Sequence, residues 1–225
     1  MHTIANPWAQ LSEEGPHRIL RCDQGQITHY NNTAAPDYRI IEQSIPEPYI
    51  GNPKTARVVL LGLNPGHSDA DARDYARTEF RAALFNNLRQ TPQAYPFYPL
   101  NPAFANTGTG KWWTQRLRQL AADSGLEPAV MSERLMVIEW FPYHSRKFRR
   151  PRQLLASQAY SFQLASQLKA QGRLVVRMRS RRLWSVAGKE FESVPALNNP
   201  QCAHITPRNA SSCYKDIIER LTHKA

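Results

Sequence analysis

One short stretch limits the folds open to this chain more than any other. Residues 58–61, Val-Val-Leu-Leu, form an apolar run without polar alternation, which predicts a strand buried on both faces. The turn sequence Gly-Leu-Asn-Pro-Gly follows at once, at residues 62–66. The two glycines permit a tight turn and close backbone approach to a ligand, and the proline fixes the turn between them. We therefore expect Asn64 at the carboxyl end of a central strand, where open α/β sheets bind their ligands.

Similar apolar runs recur along the chain and alternate with segments of helical periodicity. The apolar runs predict strands at residues 57–63, 135–140, 174–178 and 202–206. The periodic segments predict helices at residues 70–89, 112–124, 152–170 and 211–221. Strands that alternate with helices of this length favour a three-layer α/β/α sandwich with a mostly parallel central sheet.

The first fifty residues differ in character from the rest of the chain. Five prolines interrupt them, and only residues 26–30 and 38–41 hint at short strands. The full length of 225 residues suits one α/β domain with a sizeable core and is short for two. We expect residues 1–50 to be an irregular lead-in packed on a single domain of residues 51–225.

The charge balance of the chain points to nucleic acid as a partner. There are 29 Lys and Arg residues against 18 Asp and Glu, a net charge of +11. Each phosphate contact releases counterions and adds affinity that does not depend on sequence, although many soluble proteins are basic without binding nucleic acid. Arginine dominates the clusters at residues 144–152 and 173–182, which favours bidentate phosphate contacts.

The cysteines and the amino terminus limit which cellular compartment and which cofactors we expect. Three scattered cysteines make neither a disulfide framework nor a C-x-x-C pair for zinc or an iron–sulfur cluster. The amino terminus lacks the basic start and apolar core that are typical of a signal peptide. No apolar run approaches the 18 residues of a membrane-spanning helix. We expect a soluble, cytoplasmic monomer without membrane contact, metal or cofactor.

Two motifs together resemble the uracil-DNA glycosylase superfamily, most closely its mismatch-specific and single-strand-selective monofunctional branches. The first is the Gly-x-Asn-Pro-Gly of residues 62–66, and the second is His-Ile-Thr-Pro-Arg-Asn at residues 204–209. Thr206 stands where the second motif usually has serine, and Ile205 stands where it has its first proline. The Pro-Arg-Asn of residues 207–209 still looks like the single-strand-selective version. The resemblance spans residues 46–221.

The resemblance implies a role for individual residues. Asn64 would orient the attacking water, and His204 would donate a hydrogen bond to the departing base as negative charge develops on it. Phe97, with Tyr98 as second choice, would stack on the flipped base. The remaining base-pocket residues would be Gly62, Gly66 and Glu139. The bland alternatives are that Asn64 only caps a helix, that His204 is structural and that Phe97 lies in the core.

DNA contacts are expected around this pocket. Arg208 could flank the stack that the flipped base vacates, and Thr206 and Asn209 could bind phosphate. Tryptophans 112 and 113 are expected to serve ordinary packing. The predicted DNA-binding set is His67, Arg146, Lys147, Arg149, Arg150, Thr206, Arg208 and Asn209.

Glu139 departs from the superfamily, which usually has asparagine at the end of the middle strand to read the base edge. An ionised carboxylate accepts from an N–H of the base but opposes a base carbonyl as one acceptor against another. Glu139 therefore suits an edge with an exocyclic amine, or it must be protonated, or it is an interior ion-pair partner of an arginine. The choice of base stays open at this point.

The sequence thus predicts a DNA base-excision glycosylase, monofunctional because no lysine lies in either motif. A second hypothesis is a binding protein of the same fold that grips nucleic acid or a nucleotide without hydrolysis. A third is a metal-dependent hydrolase built on His67, Asp69 and Asp71, although aspartates after a Pro-Gly turn more often begin a helix.

Overall fold

A computed structural model describes residues 5–223 of the chain. Four strands form its sheet: β1 (Tyr49–Ile50), β2 (Val58–Leu61), β3 (Leu135–Ile138) and β4 (Leu174–Arg177). Their spatial order is β1-β3-β2-β4. The central strand β2 runs parallel to both β3 and β4, and only β1 is antiparallel to its neighbour β3. The prediction of a mixed α/β fold with a mostly parallel sheet is confirmed.

Helices cover this sheet. The α-helices are α1 (Gln24–Thr33), α2 (Asp71–Tyr75), α3 (Thr78–Arg89), α4 (Gly108–Ser124), α5 (Pro128–Arg134), α6 (Gln158–Ala170), α7 (Arg181–Ala187) and α8 (Tyr214–Thr222). Helix α8 contacts β2 and β4, α6 contacts β4, α5 contacts β3, and α3 contacts β1. Every residue of β2 and β3 is buried. Because successive side chains of a strand point to opposite faces, both faces of the sheet are covered.

The fourth predicted strand, residues 202–206, is wrong. These residues form turns and irregular chain, and Ile205 donates its backbone N–H to the Arg116 carbonyl of α4 at 3.0 Å. In the described part of the chain, the outer edge of β4 instead pairs only at an isolated bridge between Arg177 and Ala196. Asparagine side chains hold the backbone of residues 198–209, and such side-chain bonds compete with strand pairing.

The amino-terminal segment contributes to the core. The hinted strand at residues 26–30 is wrong, because these residues lie in α1; the hinted strand at residues 38–41 is wrong as well. Trp8 is fully buried and packs edge-to-face on Tyr143, with ring centroids 5.7 Å apart. The Tyr143 hydroxyl in turn donates to the buried carboxylate of Asp23 at 2.8 Å.

Two helix predictions also need correction. The segment at residues 70–89 divides into α2 and α3, and the helix expected from residue 152 begins only at Gln158. There the side-chain carbonyl of Gln158 accepts from the Leu155 N–H at 2.8 Å, which fixes a non-helical approach. Helices α5 and α7 were not predicted. None of the helices in residues 5–223 has the length and apolarity needed to cross a bilayer.

Candidate functional site

A cavity of about 260 Å³ lies at the carboxyl ends of β2 and β3. The turn after β2 supplies part of its wall, and the segment after β3 supplies Glu139 and His144. Glu47 reaches it from the segment before β1, and the start of α4 closes one side with Trp112 and Trp113. The segments that follow β2 and β3, which carry Asn64 and Glu139, therefore meet in one pocket.

Two hydrogen bonds from its amide group fix the orientation of the Asn64 side chain. Its side-chain NH₂ donates to the Pro65 carbonyl at 2.9 Å and to the Ser145 hydroxyl at 3.2 Å. The side-chain oxygen of Asn64 has no hydrogen-bond partner in the part of the chain that the structure describes. Since both amide hydrogens are engaged, the group that this lining residue leaves unpartnered is an acceptor, which can orient a water molecule.

Glu139 lies buried in the cavity wall, only 8% exposed, and its Oε2 atom has no hydrogen-bond partner within residues 5–223. The pKa of this carboxyl is raised to about 8, chiefly by burial and also by the charge of Glu47, while the charge of Arg179 opposes both effects. No ion pair joins Glu139 to an arginine among the described residues. The interior ion-pair alternative is therefore wrong.

The two glycines predicted for the base pocket differ in their surroundings. A Cβ atom on Gly62 would overlap the Glu139 carboxylate, whereas a Cβ atom on Gly66 would meet nothing within 4 Å. Gly62 is thus the residue that lets Glu139 pack against the end of β2. Gly66 contributes its carbonyl oxygen, which lies 2.6 Å from Nδ1 of His144.

Glu47 is a buried carboxylate that sequence reasoning missed. Burial raises its pKa, and the nearby imidazole of His144 opposes that shift. Strand β1 places it beside Glu139, because the Glu139 N–H donates to the Pro48 carbonyl at 2.9 Å. An acidic residue between two prolines in an otherwise apolar stretch was the available signal.

His144 ties the two walls of the cavity together. Its Nδ1 lies 2.6 Å from the Gly66 carbonyl oxygen and its Nε2 lies 2.8 Å from the Ile45 carbonyl oxygen. Carbonyl oxygens only accept, so a ring nitrogen that carries hydrogen donates to the carbonyl it faces. Tyr75 lies against this ring, with its hydroxyl 3.5 Å from Nε2.

His67, Asp71 and His144 are close enough to hold a metal ion, with candidate ligand atoms within 4.8 Å of one another. Each is engaged otherwise: Asp71 accepts from the Ser68 N–H at 3.1 Å and from its hydroxyl at 2.7 Å, where α2 begins. Both nitrogens of His144 face carbonyl oxygens, so ligation would break one of those bonds. Asp69, part of the metal hypothesis, is exposed and paired with Arg146 instead. A hydrogen-bonded helix start fits these residues better than a metal centre.

His67, predicted to bind DNA, lines the cavity. Its Nδ1 lies 3.2 Å from the Asp71 carboxylate and 3.3 Å from the Ser44 hydroxyl. Burial lowers its pKa, and Asp71 opposes that shift. Its Nε2 atom has no partner among residues 5–223.

The loop of His204 is not part of the cavity lining. Its polar groups bind one another: the Asn209 side chain donates to the His204 carbonyl at 2.8 Å, and the Asn209 N–H donates to the Thr206 hydroxyl at 3.1 Å. Arg208 is exposed. Two of the groups predicted to bind phosphate are therefore used to hold the loop.

Phe97 and Tyr98 are core residues. Phe97 is fully buried against Trp113, with ring centroids 4.9 Å apart and nearly perpendicular. Tyr98 packs on Phe80, and burial together with the charge of Glu47 raises its pKa well above the ordinary value. The structure thus leaves neither ring on the cavity wall, whereas the half-buried Trp112, expected only to pack, lies on it.

The cationic cluster at residues 146–150 divides into paired and unpaired members. Arg146 pairs with Asp69, and Lys147 pairs with Asp37 at 2.8 Å. Arg149 and Arg150 are exposed and line a second cleft of about 680 Å³ beside α1. Among the described residues these two arginines have no carboxylate partner.

Comparisons of this chain with protein-family models, with curated proteins and with solved structures find no match.

Proposed function

We propose that the protein is a monofunctional DNA glycosylase, which hydrolyses the N-glycosidic bond of a flipped uracil or another deaminated or damaged base. The observation that carries the proposal is the pairing of Asn64 and Glu139 across one cavity at the ends of β2 and β3. One offers an oriented acceptor for water, and the other offers an unpartnered carboxyl group for a base edge.

In this mechanism Asn64 holds the water on the sugar face through its free side-chain oxygen. An amide is too weak a base to deprotonate water, so the bond to the base breaks first and the sugar becomes cationic. The buried carboxylate of Glu47 stabilises this cation, as carboxylates do in glycoside hydrolysis. Neither motif contains lysine, so no Schiff base to the sugar forms and the product is an abasic site.

Glu139 reads the base edge as a neutral carboxylic acid. With a pKa of about 8, it carries its proton at neutral pH. A protonated carboxyl donates through its O–H and accepts through its C=O, so it matches the C=O and N–H of a uracil or hypoxanthine edge. This removes the conflict between two acceptors that an ionised Glu139 would create.

Two imidazoles are candidates for stabilising the departing base. The resemblance assigns this role to His204, and the cavity lining offers His67 with an unpartnered Nε2. One such donor in a water-excluded site contributes about 2.7–4 kcal/mol to the transition state. Comparison of His67→Ala with His204→Ala decides between them, since only the acting residue lowers kcat by a hundredfold or more.

The direct test is incubation with oligonucleotides that carry uracil, hypoxanthine, xanthine or mismatched bases, followed by alkaline cleavage of abasic sites. We expect cleavage at one of these bases with the wild-type protein and none with Asn64→Ala. Absence of cleavage at every base under enzyme excess would overturn the proposal. Loss of activity on addition of a chelator would favour the metal-dependent alternative at His67, Asp71 and His144.

A second candidate is a nucleic-acid or nucleotide-binding protein of the same fold without hydrolysis. It is favoured by the position of His204 outside the cavity lining and of Phe97 in the core. Binding of one modified oligonucleotide in preference to its unmodified control, without any abasic product, would establish this candidate.

A further inference from the structure

We propose that Arg116, Trp112 and Arg179 form a clamp for a phosphate group at the mouth of the cavity. The proposal extends the proposed function, because a strand whose base enters the cavity must place an adjacent phosphate near the cavity mouth. Its own evidence is separate and consists of charges and unpartnered donors at these three residues.

The three side chains are stacked. The guanidinium carbon of Arg116 lies 4.4 Å from the centroid of the Trp112 ring, and that of Arg179 lies 5.9 Å from the same centroid. Arg116 follows Trp112 by four residues on α4, so the two share one helix face. Arg179 comes from the chain just after β4 and donates to the Gln201 carbonyl at 3.3 Å. Trp112 itself lines the cavity, so the stack stands at its edge.

The two guanidinium groups lack a counter-ion. Neither lies within ion-pair distance of a carboxylate in the chain from residue 5 to residue 223. Burial and the charge of Arg179 both lower the pKa of Arg116. The charge of Arg179 lowers the pKa of Glu139, but with a pKa of about 8 this carboxyl is neutral at pH 7 and supplies no counter-ion. Two like charges held this close without an acid imply that an anion belongs between or beside them.

Unsatisfied donors point the same way. The Nε–H groups of Arg116 and Arg179 are buried, and no acceptor among the described residues reaches either of them. Within residues 5–223, Arg116 otherwise donates only to its neighbour Gln115, at 2.6 Å. Buried donors without partners cost free energy, and a phosphate offers several acceptor oxygens in the geometry that arginine binds best.

The test compares the double variant Arg116→Gln/Arg179→Gln with the matched control Arg118→Gln/Arg182→Gln. Arg118 and Arg182 are exposed residues of α4 and α7, so the control removes the same charge from the same region. Binding of a fluorescent, unmodified single-stranded oligonucleotide is measured by anisotropy over a salt series. We expect the slope of log K against log salt to fall by about 0.7 in the clamp variant, one phosphate contact, and to stay unchanged in the control.

A second arm identifies the source of the phosphate. A deoxynucleoside 5′-monophosphate and its nucleoside are compared for the rise that each gives in the melting temperature. A rise with the monophosphate alone, lost in the clamp variant while the oligonucleotide slope is unchanged, would assign the clamp to a free nucleotide. Equal slopes in wild type, clamp variant and control, with no monophosphate effect, would overturn the proposal, as would equal losses in both variants.

These measurements do not depend on base release. A protein that leaves every modified base intact but shows the expected change of slope would contradict the glycosylase and support the clamp. If the double variant does not fold, Arg116→Gln and Arg179→Gln carry the same measurement singly.

Discussion

The cavity wall and the loop of residues 198–209 are built from similar residue types and use them in opposite ways. In the cavity, the Asn64 side-chain oxygen and Glu139 Oε2 have no partner among residues 5–223. In the loop, the Asn209 side chain bonds to three backbone groups, which belong to His204 and Asn199. An unsatisfied polar group costs stability, so its presence beside a cavity indicates a ligand, whereas a satisfied one indicates structure.

The largest effect is expected on the rate of base release, which should depend on Asn64 and not on Asn209. Asn64→Ala removes the oriented acceptor and should lower the rate of base release by about 10²–10³-fold, with little change in the melting temperature. Asn209→Ala should leave the rate of the folded enzyme within a factor of a few. Single-turnover kinetics on the base found to be a substrate measure both. A reversal of the two results would assign the catalytic role to the loop.

Glu139 gives the next largest effect, through pH. Above pH 8 the carboxyl loses its proton and with it the ability to donate to a base carbonyl, so kcat/KM should fall about tenfold per pH unit. Glu139→Gln keeps a neutral donor and acceptor at every pH and should flatten the profile between pH 7 and 10. A fall of the same steepness in the glutamine variant would assign the titration to another group.

Gly62 and Gly66 allow a comparison within the cavity wall, because only Gly62 lies against Glu139. Gly62→Ala forces a methyl group against the Glu139 carboxylate and should lower the free energy of unfolding by about 1–3 kcal/mol, with a shifted pH profile. Gly66→Ala meets open space and is the matched control. Denaturant unfolding and the pH profile of base release measure the two effects. Equal destabilisation by both alanines would contradict the packing of Glu139 on Gly62.

The smallest effect belongs to the loop. Asn209→Ala leaves the Asn199 N–H and two carbonyl oxygens to water and should lower the free energy of unfolding by about 0.5–1.5 kcal/mol. Exposed Asn106→Ala serves as the control and should change it by less than about 0.5 kcal/mol. Urea denaturation measures both, and an unchanged midpoint for Asn209→Ala would mean that water replaces the lost bonds.

The sequence predicts the centre of the sheet well and its margins poorly. Strands β2 and β3 are apolar throughout, and β4 is apolar up to its last residue, Arg177, because parallel strands are covered on both faces; that pattern is local. The expected strand at residues 202–206 fails because the side chains of Asn199 and Asn209, three and five residues from their partners, bind the backbone of Cys202 and His204. Strand β1 has two residues and offers no period to detect.

The candidate site divides in the same way. Asn64 and Glu139 follow directly from strand ends and could be named from the sequence. Glu47 reaches the cavity only through pairing with a strand that lies about ninety residues later, and Trp112 meets Arg179 only in three dimensions. Phe97 is the opposite case: the sequence assigns it to the site, but a proline-rich loop carries its ring into the core.

The burial of two carboxyls beside each other has a consequence for how the chain folds. In the unfolded chain at neutral pH, Glu47 and Glu139 are hydrated and ionised, whereas the native pKa of Glu139 is about 8 and that of Glu47 is raised. Formation of the β1–β3 pair must therefore take up a proton from the solvent at Glu139. The contribution of Glu139 to the free energy of unfolding is then fully present below the ordinary carboxyl pKa and is lost as the pH rises through about 8. The assembly of this cavity is, in effect, a proton-binding reaction.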